Sequence, residues 1–467
     1  MKIVLVSLNR NTIYTPLALL YCRACLLADP SAGPRVCVEL KEFELDDSLE
    51  YVLWEIVRDS PGMVAFSCYL WNIQTVLRLA AMIRQVLPAA KIVLGGPEVS
   101  SRARELLAQN PAIDCVVRGE GEFIFARVVR AYLCLEALSA VDGISFRSGA
   151  GIVENPGEPR VADLDSLPSV YRDGSVEVAH REVCLETQRG CVFGCEFCYY
   201  NKGARGWRAF SLKRVKEELA YLLAQRDSTV YLMDPVFNLQ PRRAKDICRF
   251  IARHNRHRIP FHTEIQAELV DAEMARLLKA ANMRYVEVGL QSTDPGVLAN
   301  VRRPMSRARF VRGYELLKKN RLVVELQLIL GLPGDTPESF LRSLDFAIEL
   351  DPPVLSVFKL QVLPGTGIRR TARRLGLEYD AQPPYEFIAG PAMPLAESIR
   401  MQKVVNSVSL FRRDRAARRY CRRHGIPLTA LILRWLERLP SDGFLLNGED
   451  NAALEKEAKA FIRSLKK

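Results

Sequence analysis

Three cysteines stand close together in the run Gln188-Arg189-Gly190-Cys191-Val192-Phe193-Gly194-Cys195-Glu196-Phe197-Cys198-Tyr199, separated by three and then two residues. Three thiolates carried on one loop can each hold one iron of a [4Fe–4S] cube, and the fourth iron then stays open to an outside ligand. Zinc normally takes four protein ligands in a closed site, and this loop offers neither a fourth thiol nor a histidine. The residue types and spacing therefore favour an iron–sulfur centre with one free corner. A reducing compartment suits this reading better than disulfides, because the chain has 467 residues and the start MKIVLVSLNRNT reads as a buried strand rather than an export signal.

The loop needs a rigid mount, and the apolar pattern supplies one. From Val183 to about residue 370, strand-like runs alternate with helical spacing: Val183–Thr187, Thr229–Met233, Phe261–Gln266, Tyr285–Gly289, Val323–Leu330 and Val354–Val362. Six such units predict a partial (β/α)6 TIM barrel over 183–370, with the cysteine loop directly after its first strand. Residues 1–147 show a second alternation, with strands expected at Lys2–Leu8, Val36–Phe43, Met63–Cys68, Lys91–Leu94 and Asp114–Val117. That predicts an α/β domain of Rossmann or flavodoxin type, a parallel sheet covered on both faces. The Pro-bearing stretch 148–182 reads as a linker, and 371–467 as a helical C-terminal region.

The motif Cys191, Cys195, Cys198 resembles the CxxxCxxC signature of the radical S-adenosylmethionine (SAM) superfamily. The resemblance implies that SAM binds the open iron through its amino and carboxylate groups and is split to a 5′-deoxyadenosyl radical. It also implies SAM contacts from Phe197 within the loop and from Asp234, which occupies the place of the family's second-strand segment. Gln291 and Arg303 match the Gln and the Arg twelve residues later in relatives similar to oxygen-independent coproporphyrinogen oxidase. Gln327 stands where that family often has an acid. Glu264 shares one strand face with Gln266 and is a candidate ribose contact.

An α/β domain ahead of such a barrel resembles the cobalamin-binding class of the superfamily. The matching segments are Phe66-Ser67-Cys68-Tyr69, Val93-Leu94-Gly95-Gly96-Pro97-Glu98 and Arg118-Gly119-Glu120-Gly121-Glu122. They nominate Ser67, Cys68, Gly95, Gly96, Glu98, Gly119, Glu120 and Gly121 as cobalamin contacts, the glycines letting backbone amides approach a bulky ligand. No histidine precedes His180, so this domain has no imidazole to offer cobalt; base-off cobalamin without a His ligand is expected.

The combination implies cobalamin-dependent methyl transfer to an unactivated carbon of a small-molecule or peptide substrate, with an external reductant such as flavodoxin or ferredoxin. Two alternatives stay open. One is a non-methylating rearrangement or cyclisation. The other is RNA or DNA modification, motivated by seven arginines within Arg412–Arg423 and a formal net charge of +12. No apolar run is long enough to span a bilayer, and a cytoplasmic enzyme is expected.

Overall fold

The computed structural model describes residues 1–149, 151–172, 174, 176–201, 206–439 and 451–465. It divides into two compact units: Met1–Val192 with Lys202–Glu264 and Arg276–Arg284, and Phe193–Asn201 with Ile265–Ala275 and Tyr285–Lys467. This partition does not follow the expected boundaries at 147, 182 and 370. The first unit holds both the N-terminal α/β domain and the opening strands of the barrel.

In the first unit, β1 (Lys2–Asn9), β2 (Cys37–Glu44), β3 (Met63–Ser67), β4 (Lys91–Gly95) and β5 (Cys115–Val117) run parallel. Two further strands, β6 (Ile144–Ser148) and β7 (Gly151–Glu154), join antiparallel, and the strand order is β2-β1-β3-β4-β5-β6-β7. The sheet is thus mixed rather than parallel throughout, and it reaches into the stretch expected to be linker. β7 is short and mostly exposed, so it has no run of apolar residues to announce it.

β1 is buried on both faces, as a central parallel strand must be. Val4, Val6 and Leu8 pack with α2 (Leu49–Val57), α3 (Ile73–Val86) and α5 (Ala103–Gln109), the last following the short α4 (Pro97–Ser100). Ile3 and Leu5 pack on the other face with α1 (Leu17–Ala28) and α6 (Gly121–Tyr132). Each fully buried Val, Leu or Ile contributes roughly 1.5–3 kcal/mol, so these two layers fix the carboxyl edge of the sheet firmly. The order reverses direction between β1 and β3, the crevice where such sheets place ligands.

A second set of six strands lies partly in the first unit and partly in the second. Its members are β8 (Glu182–Leu185), β11 (Thr229–Leu232), β12 (Phe261–Ile265), β13 (Met283–Gln291), β14 (Val323–Leu330) and β15 (Val354–Lys359), matching the six strands expected. The pairs β8–β11 and β11–β12 in the first unit, and β13–β14 and β14–β15 in the second, are parallel. Between β8 and β11 a short pair, β9 (Gln188–Arg189) and β10 (Arg208–Ala209), is antiparallel. Helix starts follow capping rules: Ser211 accepts from Arg214 N–H at the helix Leu212–Ala224, and Thr336 forms a capping box with Ser339.

The C-terminal region is helical over Leu395–Arg412, Arg415–His424, Leu428–Leu436 and Asn451–Ser464, with a small antiparallel pair at Glu378–Tyr379 and Phe387–Ala389. Residues 440–450 and 466–467 of the expected helical region lie outside the described residues. Among the described residues no helix is long and apolar enough to cross a membrane.

Candidate active site

The cysteine loop springs from a narrow stem. β9 and β10 pair Arg189 with Arg208 and Gln188 with Ala209, and Trp207 Nε1 donates to Gln188 Oε1 at 2.8 Å. Gly190 adopts φ +83°, and a Cβ there would run into the carbonyl of Gly206. Only glycine fits a left-handed turn this close to another backbone. Cys191 follows at once and is buried.

Asp234, after β11, supports the same stem. Its Oδ1 accepts from Thr187 N–H at 2.7 Å and Gln188 N–H at 3.1 Å, and its Oδ2 from the Thr187 hydroxyl at 2.5 Å. Burial pushes the carboxyl up to about 7, against the three donors that favour its charged form. Both oxygens are thus engaged by the strand that leads into the cysteine loop. Glu264 on β12 accepts from Tyr231 Oη at 3.3 Å.

Arg189 carries a carboxylate cluster. Its guanidinium is 2.9 Å from Glu186, 2.6 Å from Glu122 and 3.6 Å from Glu120, and is only 10% exposed. Burial works against its charge, but the three acids outweigh that and hold it protonated. Glu120 also takes Arg208 Nη1 at 3.0 Å and Val161 N–H at 2.8 Å. Burial would raise the Glu120 carboxyl; Arg208, the Val161 amide and Arg189 overcome it and hold the group below its ordinary value.

At the carboxyl edge of the first sheet, the residues nominated for cobalamin are close together but largely engaged by the protein. Gly96 has φ +112°, and a Cβ there would lie 2.6 Å from the Cys68 carbonyl oxygen; its freedom serves the packing of two loops against each other. Cys68 N–H donates to the Gly95 carbonyl at 2.7 Å, and its thiol is buried. Glu98, buried, pairs with Arg102 at 3.0 Å. Gly119 N–H donates to Ser100 Oγ at 3.3 Å, and Gly121 opens α6. Ser67 ends β3, its carbonyl held by Asn72 Nδ2 at 2.9 Å. The sequence reading missed Asn72, which also grips the Leu8 carbonyl and so ties β1 to β3 at the crevice. It missed as well the stacked pair Tyr69 and Trp71, 4.5 Å between ring centres, with Trp71 Nε1 on Asn9 Oδ1 at 3.3 Å.

In the second unit Cys195 is buried, Phe197 and Cys198 half-buried, and Cys198 N–H donates to the Cys195 carbonyl at 3.1 Å. Arg303 reaches the Gly289 carbonyl with one nitrogen at 2.7 Å and the Cys195 Sγ with the other at 4.0 Å. Gln291 sits at φ +65° where the β13–β14 register shifts, and its amide folds back over Gly289, filling the space a Cβ would need. The structure therefore brings Cys195, Gln291 and Arg303 together. Gln327 donates to Glu287 at 2.9 Å, an acid one strand away from the position expected. Glu196 holds the loop: its N–H donates to the Val301 carbonyl at 3.0 Å, and its carboxylate meets Arg302 at 2.9 Å.

None of the three loop cysteines is in a disulfide, which leaves their sulfurs to serve as soft donors for iron. Cys191 lies in one compact unit, Cys195 and Cys198 in the other. Among the described residues no three His, Cys, Asp or Glu side chains are gathered as a metal cage.

Residues 185–347 match the Radical SAM superfamily model and residues 5–129 the B12 binding domain model. The chain is 25% identical over 390 residues to the 2-(S-pantetheinyl)-carbapenam-3-carboxylate methyltransferase of Streptantibioticus cattleyicolor, covering 75% of this chain and 54% of that protein. It is 25% identical over 321 residues to the anaerobic magnesium-protoporphyrin IX monomethyl ester cyclase of Rubrivivax gelatinosus, covering 66% of this chain and 57% of that one. The chain spans about half to two thirds of the length of the curated relatives it matches. Among solved structures, the radical SAM methyltransferase TsrM of Kitasatospora setae, with cobalamin and a [4Fe–4S] cluster bound, superposes with a TM-score of 0.65. That match covers 85% of this chain and 80% of the other at 20% identity, a likeness of fold.

Proposed function

Because the chain belongs to the radical SAM superfamily and carries its B12-binding domain, we propose that it is a cobalamin-dependent methyltransferase acting on an unactivated carbon. The observation that carries this is the conjunction of the three-cysteine loop, mounted at the first barrel strand, with a B12-type domain ahead of it. Cys191, Cys195 and Cys198 would hold a [4Fe–4S] cluster, with Gln291 and Arg303 at the SAM side of Cys195. The edge formed by Ser67, Cys68, Gly95, Gly96 and Gly119 would face cobalamin, base-off and without a histidine. When bound, these groups supply a 5′-deoxyadenosyl radical and a transferable methyl group.

The chain's own residues do the positioning. The Arg303 guanidinium, fixed by the Gly289 carbonyl, places a positive charge beside one cysteine sulfur and offers further donors to a carboxylate. Asp234 holds the stem strand through three hydrogen bonds and is a positioning group, a different role from contact with the SAM amine. The substrate is a small molecule or peptide, and the electron comes from an external carrier such as flavodoxin or ferredoxin in the cytoplasm. Similarity to a cyclase as well as to a methyltransferase favours ring closure as the second reading.

Anaerobic reconstitution with iron, sulfide, SAM and dithionite tests the first step. Wild type is expected to release 5′-deoxyadenosine, and the Cys191→Ala, Cys195→Ala, Cys198→Ala triple variant none. No 5′-deoxyadenosine from a fully reconstituted protein refutes the proposal. With substrate present, S-adenosylhomocysteine marks methyl transfer; its absence alongside turnover favours cyclisation.

A further inference from the structure

We propose that Glu120 is a positioning residue for the cysteine loop, clamping both strands of its stem, rather than a contact to the corrinoid. The inference rests on the reading of that loop as the cluster site. Glu120 lies in the Arg118–Glu122 segment of the B12-type domain, far from the cysteines in sequence. Its two oxygens nevertheless engage Arg208 on β10, its Oε2 lies 3.6 Å from Arg189 on β9, and the same oxygen accepts from Val161 N–H at 2.8 Å. β9 and β10 are two residues each, too short to hold a loop by themselves.

The clamp is largely sheltered from water and sets two arginines among three carboxylates. Arg189 is 10% exposed, and Glu120 and Arg208 are 21% exposed each. Glu122 and Glu186 take the remaining donors of Arg189, so removing Glu120 leaves Arg208 without its carboxylate while Arg189 keeps two. Arg208 then retains the Val161 carbonyl as a neutral acceptor. A cation buried this far without its counter-charge shifts toward water, and β10 moves with it. Gly190 and Cys191 directly follow β9, the partner strand of that stem, so freedom at β10 becomes freedom at the first iron ligand. Outer residues that orient ligands typically change metal retention 10–100-fold, and this is the range expected here.

The test compares wild type with E120Q, E120A, R208A and the double variant E120A/R208A, all full-length. Three quantities are measured: amide exchange at 188–189 and 207–209 in the apo-protein, release of iron to a chelator after anaerobic reconstitution, and hydroxocobalamin binding by visible absorbance. Glu120→Gln and Glu120→Ala should speed stem exchange and raise the iron-release rate at least tenfold, with corrinoid affinity within twofold of wild type. The double variant should be no worse than the singles, the signature of one shared interaction. Corrinoid affinity lost with stem exchange and iron release unchanged overturns the proposal, as does unchanged exchange in E120Q alone. Should E120A fail to fold, E120Q, which keeps its size and one acceptor, carries the comparison. Wild type that takes up no cluster would refute the proposed function instead; the apo-protein exchange still reads the clamp.

Discussion

A carboxyl placed among donors usually titrates low, and Asp234 departs from that because its burial outweighs three hydrogen bonds. Its folded pKa of about 7 lies above the ordinary 3.8, so the native chain keeps a proton that the unfolded chain releases between those values. Stability from this group is full below about pH 4 and is lost as pH rises through about 7, a contribution on the order of a few kcal/mol. Asp234→Asn removes the titration. Urea midpoints of wild type relative to the variant are expected to fall steadily from pH 4 to 7; a constant difference across that window would contradict the assignment. At this scale the sequence marked Asp234 as special but not its partner, because the Thr187–Asp234 approach exists only once β8 and β11 pair.

The elements decide how exact the cysteine loop can be. Gly190 and Gly194 both interrupt it, yet only Gly190 is held at positive φ against another backbone; open space surrounds a Cβ at Gly194. Gly190→Ala is expected to cost about 1–3 kcal/mol of stability through the left-handed backbone and the clash, and Gly194→Ala less than about 0.5 kcal/mol. Thermal unfolding of the two apo-variants checks this, and equal losses would mean the stem is not the rigid part. The six barrel strands and five of the first sheet were legible in apolar runs, and all but β15 bury residues that those runs supply. β7 was not, since an exposed edge strand needs no apolar pattern.

For the whole molecule, charge is concentrated late in the chain: from residue 371 on there are 18 Lys and Arg against 11 Asp and Glu. Part of that charge is structural. Arg412 and Arg413 donate to the Pro353 carbonyl, and Arg418 pairs with Asp351, which removes three of the seven arginines from any continuous phosphate-tracking face. No histidine precedes His180, so the B12-type domain has no imidazole of its own to offer a bound cobalt. Protein produced with hydroxocobalamin and then reduced is expected to show a cob(II)alamin EPR signal without nitrogen splitting; a resolved nitrogen triplet would mean that an imidazole or the nucleotide base is coordinated.

Donor chemistry is local, so the residue order alone determined the three thiols, their spacing, the glycine turns and the alternation that builds the α/β strands. Who neutralises whom was decided by tertiary structure. Glu120 reads in sequence as part of a glycine-rich ligand loop, and it became a clamp because folding brought Arg189 and Arg208, some 70 to 90 positions away, against it. Burial makes that difference physical: a charge removed from water must find its partner wherever the chain delivers one, and sequence spacing carries no record of that meeting.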